Sequence, residues 1–220
     1  RRKIPFSIGE YYHVYNRGTD KRVVFIEDRD YRRFIFLLYI CNSVIPVRTD
    51  NLFQQGQPLL ELFGVNRGDT LVDIGAFCLM PNHFHLLLYE KTEGGISIFM
   101  KKLLTAYVMY FNTKNERRGS LFEGPFKAKY VNSNSYLNWI FSYIHLNPVK
   151  LIQSDWKESG ILDPVSTKNF VDNYKYSSYY DYFLGDRSEG VILNKKEFSD
   201  NFSQLNDFED LVQEFREVGQ

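Results

Sequence analysis

Leu71–Tyr89, LVDIGAFCLMPNHFHLLLY, decides how the rest of the chain is read. It is two apolar runs, Leu71–Met80 and His83–Tyr89, joined at Pro81-Asn82, and such a pattern predicts a pair of strands connected by a tight turn. Successive side chains in a strand point to opposite faces, so His83 and His85 share one face while Phe84, Leu86 and Leu88 share the other. Two imidazoles side by side on a rigid strand form a two-point clamp for a metal ion. The plainer alternative is a pair of histidines on a solvated face.

Working outward, Tyr11–Asn16 (YYHVYN) is aromatic and β-branched and stops at Arg17-Gly18, the pattern of a strand followed by a turn. Asp28–Val44 repeats Tyr31, Phe34, Ile35 and Leu38 at helical spacing, with Asp28 or Asp30 as the expected N-cap. Residues 45–70 hold two prolines and three glycines and read as a long connection, with a short helix at Leu59–Phe63. Ile96–Asn112 carries a helical stripe, Asn115–Gly119 is a basic turn, and Ser120–Val131 reads as extended. Ser135–Asn147 is a helix whose core face is Leu137, Ile140, Phe141 and Ile144. Pro148 closes it, because a residue before proline resists the α conformation.

The order β-α-β-β-α-β-α predicts an α+β sandwich, an antiparallel sheet with its helices on one side. Beyond Lys150 come a tyrosine-rich stretch, Tyr174–Phe183, and a polar acidic helix over Lys195–Val218.

The 220 residues fit one domain with an extension, or two small ones, and 44% hydrophobic residues can supply a core. The longest apolar stretch, Phe34–Cys41, is too short to cross a bilayer. No secretion leader is read at the start, and Cys41 and Cys78 are expected to be buried thiols, which together point to the cytoplasm. The zero net charge hides a gradient: seven basic residues face two acidic ones over 100–130, whereas nine acidic face four basic over 186–220. That asymmetry is compatible with a nucleic-acid surface, and equally with two solvated faces.

Tyr143 and Asn147 stand four apart on the Ser135–Asn147 helix, hence on one face, about a quarter-turn from its core face. An amide oxygen can ligate a metal and a phenol can act as a nucleophile. With 16 tyrosines in the chain, a rim tyrosine is equally read as packing. His145 falls on the opposite side and is expected to be structural. His13 is read either as structural or as a DNA contact.

Four stretches, YYHVYNRG (11–18), FCLMPNHFHLLL (77–88), GSLFEGPFKAKYV (119–131) and YIHLNPVK (143–150), together resemble the REP-associated tyrosine transposases. These are relatives of the single-tyrosine insertion-sequence transposases in the HUH endonuclease superfamily. The resemblance spans about residues 5–155. It implies a four- or five-stranded antiparallel sheet flanked by helices, of the ferredoxin-like or RRM-like kind. It also implies His83 and His85 as metal ligands, Tyr143 as the catalytic nucleophile, and Asn147 completing the metal site. The expected activity is metal-dependent cutting and rejoining of single-stranded DNA at hairpin-associated sites, through a 5′-phosphotyrosine link.

The resemblance implies magnesium or manganese as cofactor, with zinc ranking after them because imidazoles alone favour it. Lys101, Lys102, Arg117, Arg118, Lys127 and Lys129 are expected to bind phosphates, Asn16 and Arg17 to read bases, and exposed aromatics to stack on unpaired bases. The partner is thus single-stranded or hairpin DNA, with a homodimer possible and no membrane. The division expected is a catalytic domain over 1–150, interrupted at 45–70, and an extension over 151–220. The long connection and the acidic tail depart from the pattern. The competing expectations are a hairpin-binding protein that does not cut, and a zinc hydrolase using metal-bound water.

Overall fold

The structure is a computed structural model that describes residues 5–47 and 61–218. Its centre is a four-stranded antiparallel sheet in the order β2-β3-β1-β4, with β1 at Tyr11–Arg17, β2 at Val72–Met80, β3 at His83–Glu90 and β4 at Lys127–Val131. The expected hairpin is β2–β3, turning at Pro81-Asn82, with Met80 opposite His83. A bulge at Gly75 shifts the register of β2, and a Cβ there would lie 2.5 Å from the Phe198 ring. Glycine is therefore required by close packing.

Period-two alternation divides the sheet residues between two cores. Tyr12 and Val14 of β1 and Phe84, Leu86 and Leu88 of β3 pack beneath α1 (Asp28–Ile40) and α2 (Gly95–Lys114). Ala76, Cys78 and Leu87 pack on the other face against α3 (Asn134–Leu146). Helices thus cover both faces rather than the one side expected. The reason lies in β2, which is buried along its whole length and so needs cover on both sides.

Three local differences from the sequence reading have simple causes. The N-cap of α1 is Glu27, and Asp30 at the third helical position reaches back to close a capping box. Asp30 is fully buried, and Lys114 at 2.6 Å and Tyr110 at 2.9 Å hold it. In 120–131 only Lys127–Val131 pairs as a strand, and the preceding residues are anchored through the bridge Gly18–Phe122. Of the 45–70 connection, residues 48–60 lie outside the described residues. A 3-10 turn at Glu61–Gly64 puts Leu62 and Phe63 into the first core.

After α3 the chain runs through α4 (Trp156–Ser159), α5 (Pro164–Asp172), α6 (Tyr179–Phe183), α7 (Lys195–Phe202) and α8 (Phe208–Val218). The single acidic helix expected over 195–218 is broken in two. Phe198, Phe202, Leu205, Phe208 and Leu211 from this stretch enter the second core beside α3. The extension also occupies the outer edge of β2. Leu79 N–H donates to Tyr176 O, Ser178 N–H to Phe77 O and Asn194 N–H to Ile74 O, while Tyr182 donates to Gly75 O and Tyr174 to Leu79 O. Backbone groups at a sheet edge must find partners, and here the extension supplies them. Both cysteines are free and buried. Among the described residues no helix is long and apolar enough to cross a membrane.

Candidate active site

Adjacent strands bring the polar residues of the α3-facing side of the sheet into rows. Arg17 pairs with His83, Tyr15 with both His85 and Lys127, and His13 with Lys129. The end of α3 lies over them, its start fixed by Ser133, whose hydroxyl accepts from Tyr136 N. Between sheet and helix is a cavity of about 260 Å³ bordered by His83, His85, Tyr143, Asn147, Arg17 and Lys157. The two imidazoles of the strand thus border one cavity with the phenol and the amide of the helix.

Each imidazole has its Nδ1 engaged. His83 Nδ1 lies 2.6 Å from Asn82 Oδ1, an acceptor, so Nδ1 carries the proton and Nε2 keeps a lone pair. His85 Nδ1 lies 2.8 Å from His13 Nε2. If His85 is to present a lone pair at Nε2, its Nδ1 donates to His13, whose own proton then sits on Nδ1. His13, left open by sequence, is thus the orienting partner of His85. Such a partner fixes ring direction and tautomer in metal-binding histidines.

The rings of His83 and His85 stand 5.0 Å apart at 87°. Burial lowers the His83 pKa to about 4, partly offset by the Asn147 side chain, whose amide oxygen can accept a hydrogen bond from the protonated ring. Burial, together with the Lys129 and Lys157 charges, lowers His13 to about 3. Burial pushes His85 well below its ordinary value, and the neighbouring His13 and His83 add to the effect. All three rings are therefore neutral near pH 7, the form that ligates metals.

Asn147, buried at the C-cap of α3, donates from Nδ2 to the Tyr143 carbonyl at 3.3 Å, so Oδ1 is the atom of its amide that could ligate an ion. Two imidazole nitrogens and one amide oxygen fit a divalent ion that draws its remaining ligands from phosphate and water. Among the described residues no group of three His, Cys, Asp or Glu is gathered as a metal site.

Tyr143 is half-buried. Its ring lies edge-on to His85 at 5.2 Å and to His13 at 5.9 Å, and parallel to Trp139 at 5.4 Å and 1°. The Lys157 ammonium donates to its phenolic oxygen at 3.1 Å and lies 4.2 Å from its ring centre. Sequence reasoning missed Lys157. It follows a loop 14 residues later, and no periodicity links it to α3. Trp139 could have been found, since it precedes Tyr143 by one helical turn. Arg17, Lys127, Lys150 and Lys157 all line the cavity, against Glu123 as its one lining carboxylate, so the enclosure suits an anion.

The other basic residues are dispersed. Lys101 and Lys102 ride on α2, beyond the opposite face of the sheet, and Lys102 donates to Ser43 O. Arg117 is held in its own loop by Asn112 and Ser120, while Arg118 is exposed beside it. Asn16 is buried at the cavity's border, where its side chain donates to Gly124 O and accepts from Arg17 N and so helps to shape the turn. His145 is buried with Nε2 2.7 Å from Ser178 Oγ, tying α3 to the extension as a structural residue.

Residues 48–147 carry the sequence pattern of the IS200-like transposases. The matched IS200-like segment is a little under half of the chain. It runs through β2, β3, α2, β4 and α3, and so contains all four of His83, His85, Tyr143 and Asn147. No curated protein matches the chain. Among solved structures, that of a REP-associated tyrosine transposase bound to a REP hairpin is similar at 12% identity, covering 83% of each chain with a TM-score of 0.44.

Proposed function

We propose that the protein is a transposase-like endonuclease and strand transferase for single-stranded DNA flanked by hairpins, with Tyr143 as the nucleophile. One observation carries this reading: His83, His85, Asn147 and Tyr143 border one cavity that four cations also line. A protein that only gripped DNA would have no need of a phenol beside a pair of neutral, oriented imidazoles.

In this reading His83 Nε2, His85 Nε2 and Asn147 Oδ1 hold a divalent ion, magnesium or manganese. When bound, the ion withdraws charge from the oxygens of the scissile phosphate. Arg17 and Lys127 hold the phosphate from the sheet side and Lys150 from the helix side. Tyr143 Oη attacks phosphorus in line, so the Oη–P bond forms as the P–O3′ bond breaks. The phenol proton leaves to solvent and the departing O3′ takes one up. Lys157, donating to Oη before the attack, keeps the oxygen aimed and balances the charge it gathers as its proton departs. The phosphodiester energy is kept in the phosphotyrosine link, and a 3′-OH entering by the same path rejoins a strand.

The test is to incubate the protein with a labelled hairpin oligonucleotide bearing single-stranded flanks, with Mn²⁺ or Mg²⁺, and to run a denaturing gel. A slow-migrating protein–DNA adduct is expected, and Tyr143→Phe should abolish it, a loss of at least about 10³-fold. Cleavage without an adduct would point to metal-bound water as the attacking group. A shift on a native gel with intact DNA would point to binding alone.

A further inference from the structure

A second cavity, of about 340 Å³, adjoins the first, with Tyr15, His85, Tyr143 and Lys157 lining both. On its helix side Tyr136, Trp139 and Tyr143 stand at i, i+3 and i+7 of α3. Their rings are almost parallel, Tyr136 to Trp139 at 5.7 Å and 16°, and Trp139 to Tyr143 at 5.4 Å and 1°. On its sheet side are Tyr15 and the exposed Lys129, and Phe215 of α8 closes the far wall. None of its lining residues is a carboxylate.

Packing alone accounts poorly for this ladder. Aromatic rings that serve only a core are buried, as Phe141 on the same helix is, whereas Tyr136 and Trp139 remain partly exposed toward a pocket with two lysines. Flat π-faces beside cations are the combination that grips an unpaired base together with its phosphate. The volume falls at the lower end of the range of small-ligand pockets, about 300–1,000 Å³.

We propose that this pocket receives one unpaired nucleobase, that of the nucleotide adjoining the phosphate under attack, and stacks it against the Tyr136–Trp139 ladder while Lys129 holds the next phosphate. The proposal rests on the reading of Tyr143 as the nucleophile. The two cavities meet at that residue, so a strand whose phosphate lies against Tyr143 continues directly into the pocket. The pocket thus sets which side of the cut is held by the protein itself, apart from the hairpin.

The experiment uses the full chain and a pool of hairpin oligonucleotides with randomised single-stranded flanks. Covalent adducts are isolated and the cut position is read by sequencing. An abasic site is then moved one nucleotide at a time through the chosen flank. At one position next to the cut, loss of the base should lower adduct formation about 10-fold or more. In Tyr136→Leu or Trp139→Leu that penalty should vanish, because a pocket without its platform no longer distinguishes base from no base. Trp139 also donates from its indole to Phe215 O at 3.2 Å, so its replacement can loosen α8. Tyr136→Leu leaves that bond in place and carries the test if Trp139→Leu unfolds. Adducts that form equally with every abasic position, or a penalty unchanged in Tyr136→Leu, overturn the pocket and leave the nucleophile standing. Absence of any adduct overturns both.

Discussion

The two faces of the sheet carry the same strands yet differ in kind. Beneath α1 and α2 the side chains from the middle of β1 and β3 are apolar or aromatic, with the buried Asn16 and Glu90 as polar residues at the strand ends. Beneath the end of α3 the same strands present His13, Tyr15, Arg17, His83 and His85. On β3 the switch occurs between neighbours, with Phe84 at 0% exposure beside His83, which lines the cavity. A strand can thus separate stability from chemistry at single-residue resolution, because alternation sends adjacent residues into different environments.

The largest effect should come from breaking that separation at β3. His83→Ala is expected to lower adduct formation about 10³-fold through loss of an ion ligand, while stability measured in urea changes by less than about 1 kcal/mol. Phe84→Ala should do the reverse. It should cost about 3–5 kcal/mol of stability, and the protein that remains folded should still form adduct. If His83→Ala proves as destabilising as Phe84→Ala, the faces are not separable in this way.

Lys157→Met sharpens the comparison on the helix side. It keeps the apolar stem but removes the donor to Tyr143, and adduct formation is expected to fall about 10²-fold with little change in hairpin affinity. Equal losses in both would make Lys157 a general phosphate contact.

A smaller effect concerns protons. Burial holds His145 at about 3, against an ordinary value of 6.5. Because the folded value is the lower one, the unfolded chain binds more protons in acid. The stabilising contribution is whole above pH 6.5 and is lost progressively as pH falls toward 3, with a slope of up to about 1.4 kcal/mol per pH unit. Urea midpoints between pH 7 and 5 should therefore fall less steeply in His145→Gln than in the parent.

The smallest effect is expected at Lys101 and Lys102. Replacing both with alanine should change single-strand affinity less than about 2-fold. Lys127→Ala with Lys129→Ala should weaken binding clearly and reduce its salt dependence. A large loss from the α2 pair would show that DNA also runs over the far face.

What the sequence made readable follows from period. The alternation at His83-Phe84-His85 and the four-residue step from Tyr143 to Asn147 each say which side chains share a direction, and both directions meet in the structure. The same rule applied to YYHVYNR would have put His13, Tyr15 and Arg17 on the histidine face and turned Asn16 away from it. The basic run over 100–130 does not form one surface because charge has no period: Lys101 and Lys127 lie on opposite sides of the sheet. Lys157 and Phe215 were out of reach, since only tertiary packing brings α4 and α8 to Tyr143.

The stitching of residues 174–194 along β2 has a consequence for assembly. Strands at a sheet's border are natural templates for a neighbour's chain. On the β2 side the amides and carbonyls a visitor would need are already taken by the protein's own later residues, and on the β4 side Lys127 and Lys129 stand exposed as like-charged guards. Edge-to-edge pairing of two sheets is therefore hindered by covering residues on one border and by like charges on the other.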